Sequence, residues 1–217
     1  MSAPYSFLVL TDHRVHKAQN PVYHLLPALR ANPHCGSIHI ASRGNPENEP
    51  FFAGCRDVPL ALSPVEENFR FDPSGEFFQQ CTVRKSLQEF DVVLMRLARP
   101  VPDDFLGFLA QAAKGKLLIN HPAGIHRTSN KTFLLQFPDL CPPMKLCRSV
   151  AEVEAFARQF AIVLKPLREY GGKGIVRMDG DQVSLGNEKI PVSSFLQQQK
   201  PYIQTEGYLA MQFLKNV

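Results

Sequence analysis

The run Asp91-Val92-Val93-Leu94-Met95 constrains the fold of this chain more than any other feature. A strand with one wet face alternates apolar and polar residues, so successive apolar positions read as a strand covered on both sides. A helical stretch follows from about residue 103, where Asp103 and Asp104 suit the positive N-terminal end of a helix. Leu117-Leu118-Ile119 then reads as a further strand. The same rhythm occurs earlier: residues 5–10 have strand character, Val22, Leu25, Leu26 and Leu29 keep a helical spacing, and residues 37–41 read as a strand. Strand, helix, strand implies parallel pairing with helical crossovers. Residues 44–75, rich in Pro, Asn, Glu and Phe, show no period and are expected to form a long irregular excursion, the role of residues 44–80 being left open.

The pattern changes near residue 126. The sequence predicts a helix over 131–137, a strand over 144–147 and a helix capped by Ser149 and running to Phe160. A strand over 161–164 closes at Pro166, and a glycine-rich loop with short strands at 175–178 and 182–185 follows. The expected class is α/β, a parallel-sheet domain followed by a small α+β domain, with a boundary near residue 125.

Composition narrows the function. With 44% hydrophobic and 20% charged residues the chain can bury a sizeable core. It lacks an apolar run of about 18 residues that would span a membrane, and its first residues lack a basic n-region and an apolar core, so a cytoplasmic protein is expected. The cysteines, Cys35, Cys55, Cys81, Cys141 and Cys147, form no C-x-x-C pair and are read as reduced structural thiols. His24, His34, His39 and His126 show no metal-ligand spacing. The net charge of +4 is scattered rather than gathered in a stripe, which argues against nucleic acid.

The chemistry is concentrated in Ile162-Val163-Leu164-Lys165-Pro166 and in Leu167-Arg168-Glu169-Tyr170-Gly171-Gly172-Lys173-Gly174-Ile175-Val176. A lysine at the exit of a buried strand carries its charge to one end of the sheet. Glycines after it let bare backbone N–H groups close over an anion. Each charge-assisted hydrogen bond of that kind is worth about 1.5–3 kcal/mol, enough in combination to hold a polyphosphate. The stretch is neither G-x-x-x-x-G-K-[ST] nor G-x-G-x-x-G. Taken alone, it also reads as a strand with a turn and a surface lysine.

Further residues extend the pattern. Asp91-Val92-Val93-Leu94-Met95-Arg96, Asn120-His121-Pro122, Asn130-Lys131, Phe137-Pro138-Asp139-Leu140-Cys141-Pro142 and Leu164-Lys165-Pro166 with Gly171-Gly172 stand in the order and spacing of prokaryotic glutathione synthetase. Over residues 85–217 the chain resembles that family of ATP-grasp ligases. The resemblance implies a pre-ATP-grasp substrate domain over 1–125, a central lid domain over 126–208 and the start of a third domain at 209–217. It implies that Lys131 and Lys165 contact nucleotide phosphates, that Gly171, Gly172 and Gly174 form the closing loop, and that Gln212, Phe213 and Leu214 form the hinge beside adenine. Arg96 matches a substrate-binding arginine, at the strand end where open α/β sheets place ligands.

The implied reaction is ATP-dependent ligation of a carboxylate to an amine through an acyl phosphate, with an amino acid or short peptide as substrate and no protein nucleophile. Family members are often oligomers. Two departures lie on the substrate side: Leu97-Ala98-Arg99-Pro100 replaces the usual Lys-Asp-Pro-Pro, and His121 replaces a lysine. The basic loop Thr11-Asp12-His13-Arg14-Val15-His16-Lys17 is placed for a carboxylate, with Arg14 as candidate, and reads equally as a solvated loop. The family's Mg²⁺ ions need an Asp and a Glu-x-Asn on a later segment. After Lys173 the acidic residues are Asp179, Asp181, Glu188 and Glu206, none in that setting, so no metal ligand is assigned here. The Mg²⁺ ligands are expected beyond Val217, and these 217 residues alone are expected to be nearly inactive. The alternative is a non-catalytic module that grips nucleotide or peptide without turnover.

Overall fold

A computed structural model describes residues 4–186 and 188–215. The chain divides into two compact units, residues 1–126 and 127–217.

In the first unit the strands are β1 (Tyr5–Thr11), β2 (Cys35–Ser42), β3 (Leu60–Pro64), β4 (Val83–Lys85), β5 (Val92–Met95) and β6 (Leu117–Ile119). They form one sheet in the order β4-β3-β2-β1-β5-β6. Pairing is parallel from β2 through β1 and β5 to β6, as the alternating sequence pattern requires. Helix α1 (Val22–Arg30) connects β1 to β2 on one side of β1. The crossover from β5 to β6 runs on the other side, through the later helix Asp103–Ala112. The order therefore reverses between β1 and β5, and their C-terminal ends open a crevice at a topological switch point.

The excursion expected over residues 44–75 is instead structured. It contains α2 (Glu49–Phe52) and β3, and leads to α3 (Glu76–Gln79) and β4. Strands β3 and β4 extend the sheet by antiparallel pairing. Leu60-Ala61-Leu62-Ser63 is fully buried but only four residues long, too short to show a period among prolines. Asn48 fixes it, its amide donating to the Ala61 carbonyl at 3.0 Å and its carbonyl accepting the Ala61 N–H at 2.8 Å.

Both faces of this sheet are covered. Leu8, Leu10, Val93 and Met95 point into a core with Phe51, Phe90 and Phe105, the last carried by α4 (Asp103–Ala112). Val9, Ile38, Ile40 and Leu94 point the other way, against Val22, Leu26 and Phe78. Period-2 alternation thus feeds two cores, and so the strands read as continuous apolar runs.

Helix α5 (Pro122–Thr128) precedes the strands of the second unit, which are β7 (Met144–Cys147), β8 (Ile162–Pro166), β9 (Val176–Asp179), β10 (Gln182–Leu185), β11 (Glu188–Pro191) and β12 (Tyr208–Gln212). Its sheet, β11-β10-β9-β8-β12-β7, is antiparallel throughout. Helices α6 (Val150–Ala157) and α7 (Val192–Thr205) cover it through Val153, Phe156, Phe195, Leu196 and Ile203. The helix expected over 131–137 is a 3-10 turn, Lys131–Gln136, because its N–H groups reach back three residues, as in Phe133 to Asn130. Strand β8 continues through Lys165 to Pro166, which pairs with Tyr208 at the end of the ladder. Among the described residues no helix is long and apolar enough to cross a membrane.

Candidate functional site

In the second unit, Asn130 caps the 3-10 turn, its side-chain oxygen accepting the Thr132 N–H at 3.0 Å. That fixes Lys131 as the first residue of the turn. Its Nζ donates to the Pro166 carbonyl at 2.5 Å and to the Glu169 carbonyl, and lies 5.6 Å from the Tyr170 ring centroid. Burial lowers the pKa of Lys131; Glu169 opposes the shift and the nearby Lys165 ammonium adds to it. Two lysines distant in sequence are thus brought within electrostatic reach of each other. Lys165 Nζ makes a 3.3 Å contact to the Met211 sulfur, a weak acceptor that leaves donors free.

Beyond β8 the chain turns through Gly171, Gly172 and Gly174, with φ of 66°, 79° and 67°. At Gly174 a Cβ would come within 2.9 Å of Pro166 Cγ, so this glycine is required by space as well as by φ. The turn is held by two long backbone hydrogen bonds, Lys173 to Tyr170 and Ile175 to Gly172, both 3.4 Å.

At the end of β12, the N–H groups of Gln212 and Phe213 are taken by the Pro143 and Ala161 carbonyls, each at 2.8 Å. The Leu214 N–H has no partner among the described residues, and the Leu214 side chain is exposed. The Arg177 guanidinium lies 4.0 Å from the Phe213 ring centroid and bonds Asp179 at 2.7 Å. Arg177, missed in the sequence, thereby packs against the aromatic residue that follows β12.

In the first unit the crevice between β1 and β5 collects the other candidates. Arg96 follows β5, its N–H bonded to the Leu10 carbonyl at 2.8 Å. With Met95, Leu97 and Asn120 it lines a cavity of about 260 Å³. Asn120 adopts a left-handed φ of 61°, and its amide donates to the Met95 carbonyl at 2.8 Å, capping the exit of β5. Arg14 stands in a 3-10 turn after β1 and forks onto Asp12, Nε to Oδ1 at 2.8 Å and Nη2 to Oδ2 at 2.7 Å. Arg43, after β2, adds a third bond to Asp12 at 2.9 Å. Burial opposes the Asp12 charge, yet the hydrogen bonds and charges of Arg14 and Arg43 outweigh it and hold the carboxyl at about 2. The sequence signalled Arg14 and Arg96 but not Asp12, Arg43 or Asn120. All five follow the C-terminal ends of parallel strands, where a ligand edge is expected.

Among the described residues no three His, Cys, Asp or Glu side chains converge as a metal site. No residue is therefore assigned to Mg²⁺.

The second unit is thus an antiparallel sheet covered by two helices, with Lys131 bonded to the carbonyl that follows Lys165 and a glycine turn beyond it. Solved structures agree on the fold. The chain matches the ADP complex of an N5-carboxyaminoimidazole ribonucleotide synthetase with a TM-score of 0.52 at 13% identity, covering 98% of this chain and 48% of that one. It matches D-alanyl-alanine synthetase A from Vibrio cholerae with a TM-score of 0.51 at 12% identity, covering 99% and 61%. Residues 130–212 match the family described as prokaryotic glutathione synthetase, ATP-grasp domain. The glutathione synthetase of Bradyrhizobium diazoefficiens is 31% identical over 134 residues, 60% of this chain and 41% of the relative. That of Mesorhizobium japonicum is 30% identical over 166 residues, 75% of this chain and 50% of the relative. The chain resembles an ATP-grasp ligase of glutathione synthetase type, and it spans about half or less of the length of these relatives.

Proposed function

We propose that the chain belongs to an ATP-dependent carboxylate–amine ligase of glutathione synthetase type. Residues 1–125 would form its substrate domain, residues 126–208 its lid, and residues 209–217 the start of a third domain. The observation that supports this most is Lys131 bonded to the Pro166 carbonyl, next in chain to Lys165, ahead of three left-handed glycines in the segment that matches the family.

In this reading the two ammonium groups neutralise phosphate charge, and Gly171, Gly172 and Gly174 present backbone N–H groups to the nucleotide. Lys131 would exchange its bonds to the Pro166 and Glu169 carbonyls for phosphate oxygens, coupling nucleotide arrival to the position of the loop. Gln212, Phe213 and Leu214 would flank adenine, with the Leu214 N–H as the donor still available. Arg96 and Arg14 would hold the substrate carboxylate, from an amino acid or short peptide. That carboxylate takes the γ-phosphoryl group and becomes an acyl phosphate; an amine then adds to the acyl carbon and phosphate leaves. Mg²⁺, when bound, would neutralise the transferring phosphoryl group. The five free thiols fit a reducing, cytoplasmic setting.

Nucleotide binding to the 217-residue chain tests the reading, measured by calorimetry with wild type, Lys165→Ala and Lys131→Ala. Loss of one charge-assisted bond should weaken ATP by about 10-fold or more. Unchanged affinity in folded Lys165→Ala would overturn the phosphate assignment. Lys131→Ala should also lower stability, since two carbonyls lose their donor.

A further inference from the structure

The two lysines assigned to phosphate are engaged very differently. Lys165 Nζ rests on the Met211 sulfur at 3.3 Å, a weak acceptor that a phosphate oxygen would readily displace. Lys131 Nζ donates to the Pro166 and Glu169 carbonyls, and the Tyr170 ring centroid lies 5.6 Å away, within cation–π range. An ammonium has three N–H groups and no acceptor. Two carbonyls and an aromatic face therefore occupy Lys131 with the chain's own atoms.

Tyr170 also reaches past the ammonium. Its hydroxyl donates to the Ser129 carbonyl at 3.4 Å, two residues before Lys131. One side chain thus ties the end of the β8 exit to the turn that presents the lysine, through both its ring and its hydroxyl. The turn itself is fixed, since Asn130 caps it through the Thr132 N–H and accepts the Phe133 N–H on its carbonyl at 3.0 Å.

On the other side of this contact, Pro166 is paired with Tyr208 and Leu167 is buried, whereas Arg168 and Glu169 are exposed. The part free to shift is therefore residues 168–170. Beyond it, a Cβ on Gly171 or Gly172 would meet nothing within 4 Å, so the glycine turn adds no packing there. The remaining tether joins Arg168 Nε to Glu206 Oε2 at 3.2 Å, from a side chain 84% exposed. Exposed ion pairs of this kind contribute little. Tyr170 is left as the side chain that decides whether Lys131 stays covered.

We propose that Tyr170 is a latch: without nucleotide it holds residues 168–170 on Lys131, and nucleotide phosphate binds in competition with it. The ligand is taken from the ligase reading, and the latch adds a residue and a sign. A contact made only in the unliganded form lowers the fraction of competent molecules, and with it the apparent affinity. Loss of Tyr170 should therefore tighten nucleotide binding, whereas loss of a residue that contacts nucleotide weakens it.

The test measures ATP binding to the 217-residue chain by calorimetry, with Mg²⁺ present. Tyr170→Phe keeps the ring and loses the hydroxyl bond, and should bind ATP about 3-fold tighter than wild type. Tyr170→Leu loses both contacts and should bind about 10-fold tighter. Arg168→Ala, which cuts the exposed tether, should stay within about 2-fold of wild type. A second measurement needs no nucleotide: reductive methylation of Lys131, read by peptide mass spectrometry against the exposed Lys173, should run faster in Tyr170→Leu than in wild type. Unchanged or weaker ATP binding by Tyr170→Leu, or an equal gain from Arg168→Ala, would overturn the latch. So would equal methylation rates in wild type and Tyr170→Leu, whatever ATP does. Faster methylation with no ATP binding by either protein would instead overturn the ligase reading, and the competition proposed here with it.

Discussion

Replacing Asp12 by asparagine should separate the charge of this residue from its shape. The Asp12 side chain is 2% exposed and joins two guanidinium groups, one of them on Arg43, 24% exposed. Holding the carboxyl at about 2 rather than at an ordinary 3.8 corresponds to about 2.5 kcal/mol of stability. Arg14 is 59% exposed, so solvent screens its share and about 1.5–2 kcal/mol is a fairer figure. Because the folded value is depressed, this stability is fully present above the unfolded value and is lost as pH falls from about 4 through 2. Asparagine keeps the volume and one acceptor but not the charge, leaving Arg43 partly buried against a neutral partner. Calorimetric melts of wild type and Asp12→Asn should differ by about 1.5–2 kcal/mol at pH 7 and converge near pH 2. A gap that is the same at both pH values, or absent at pH 7, would refute the view that charge holds this crevice together. Arg14→Ala should cost less than Arg43→Met, because the exposed partner loses less on leaving.

Gly174→Ala should cost about 1–2 kcal/mol from the left-handed backbone alone, and more from the approach to Pro166; Gly171→Ala, with open space around it, should show only the backbone share in thermal melts. His13, His16 and His39 all have pKa values lowered below 6.5, by burial first, so the neutral ring is the folded form. Stability should hold above pH 6.5 and fall as pH drops below it, and His39→Phe should flatten that slope in urea titrations, since His39 Nδ1 is buried without a partner. Phe105→Ala should cost about 3–5 kcal/mol in chemical denaturation, as its fully buried ring packs against Phe51, Phe52 and Phe108; a loss under 1 kcal/mol would mean the core there is not closed.

The parallel half of the first sheet was legible because strands buried on both faces must be apolar at every position. Residues 92–95 satisfy that without help from context. Strand β3 obeys the same rule but is too short to be told from a loop, and Asn48, thirteen positions away, supplies the bonds that fix it. Helix α7 was missed for another reason. Val192, Phe195, Leu196 and Ile203 keep a helical spacing, but Gln197-Gln198-Gln199 and Pro201 dilute it, and a proline inside a helix removes one backbone bond without forbidding the rest. The turn at Lys131 kept its position and changed its type, since i–3 and i–4 bonding begin from the same cap.

Site residues divide along a related line. A lysine or arginine at or just past the end of a buried strand is visible in sequence, because the strand's end fixes where its charge goes. Lys165 and Arg96 are of this kind. Asp12, Ser42 and Asn120 lie at strand exits too, but their roles come from bonds that only the folded chain brings together. Asp12 matters because two arginines separated by a whole strand and helix converge on it. Ser42 matters because two backbone donors exhaust its lone pairs and force its hydrogen onto His13, which decides the tautomer and leaves Nε2–H facing a cavity. No spacing rule encodes that saturation. The lysines and glycines assigned to phosphate lie in the second unit, whereas the His13 ring of the first is held by Ser42, Gly44, Gly75 and Phe78 together. Substitution at any of those four should change the setting of the His13 ring, read from its histidine NMR signals, without touching the residues assigned to phosphate.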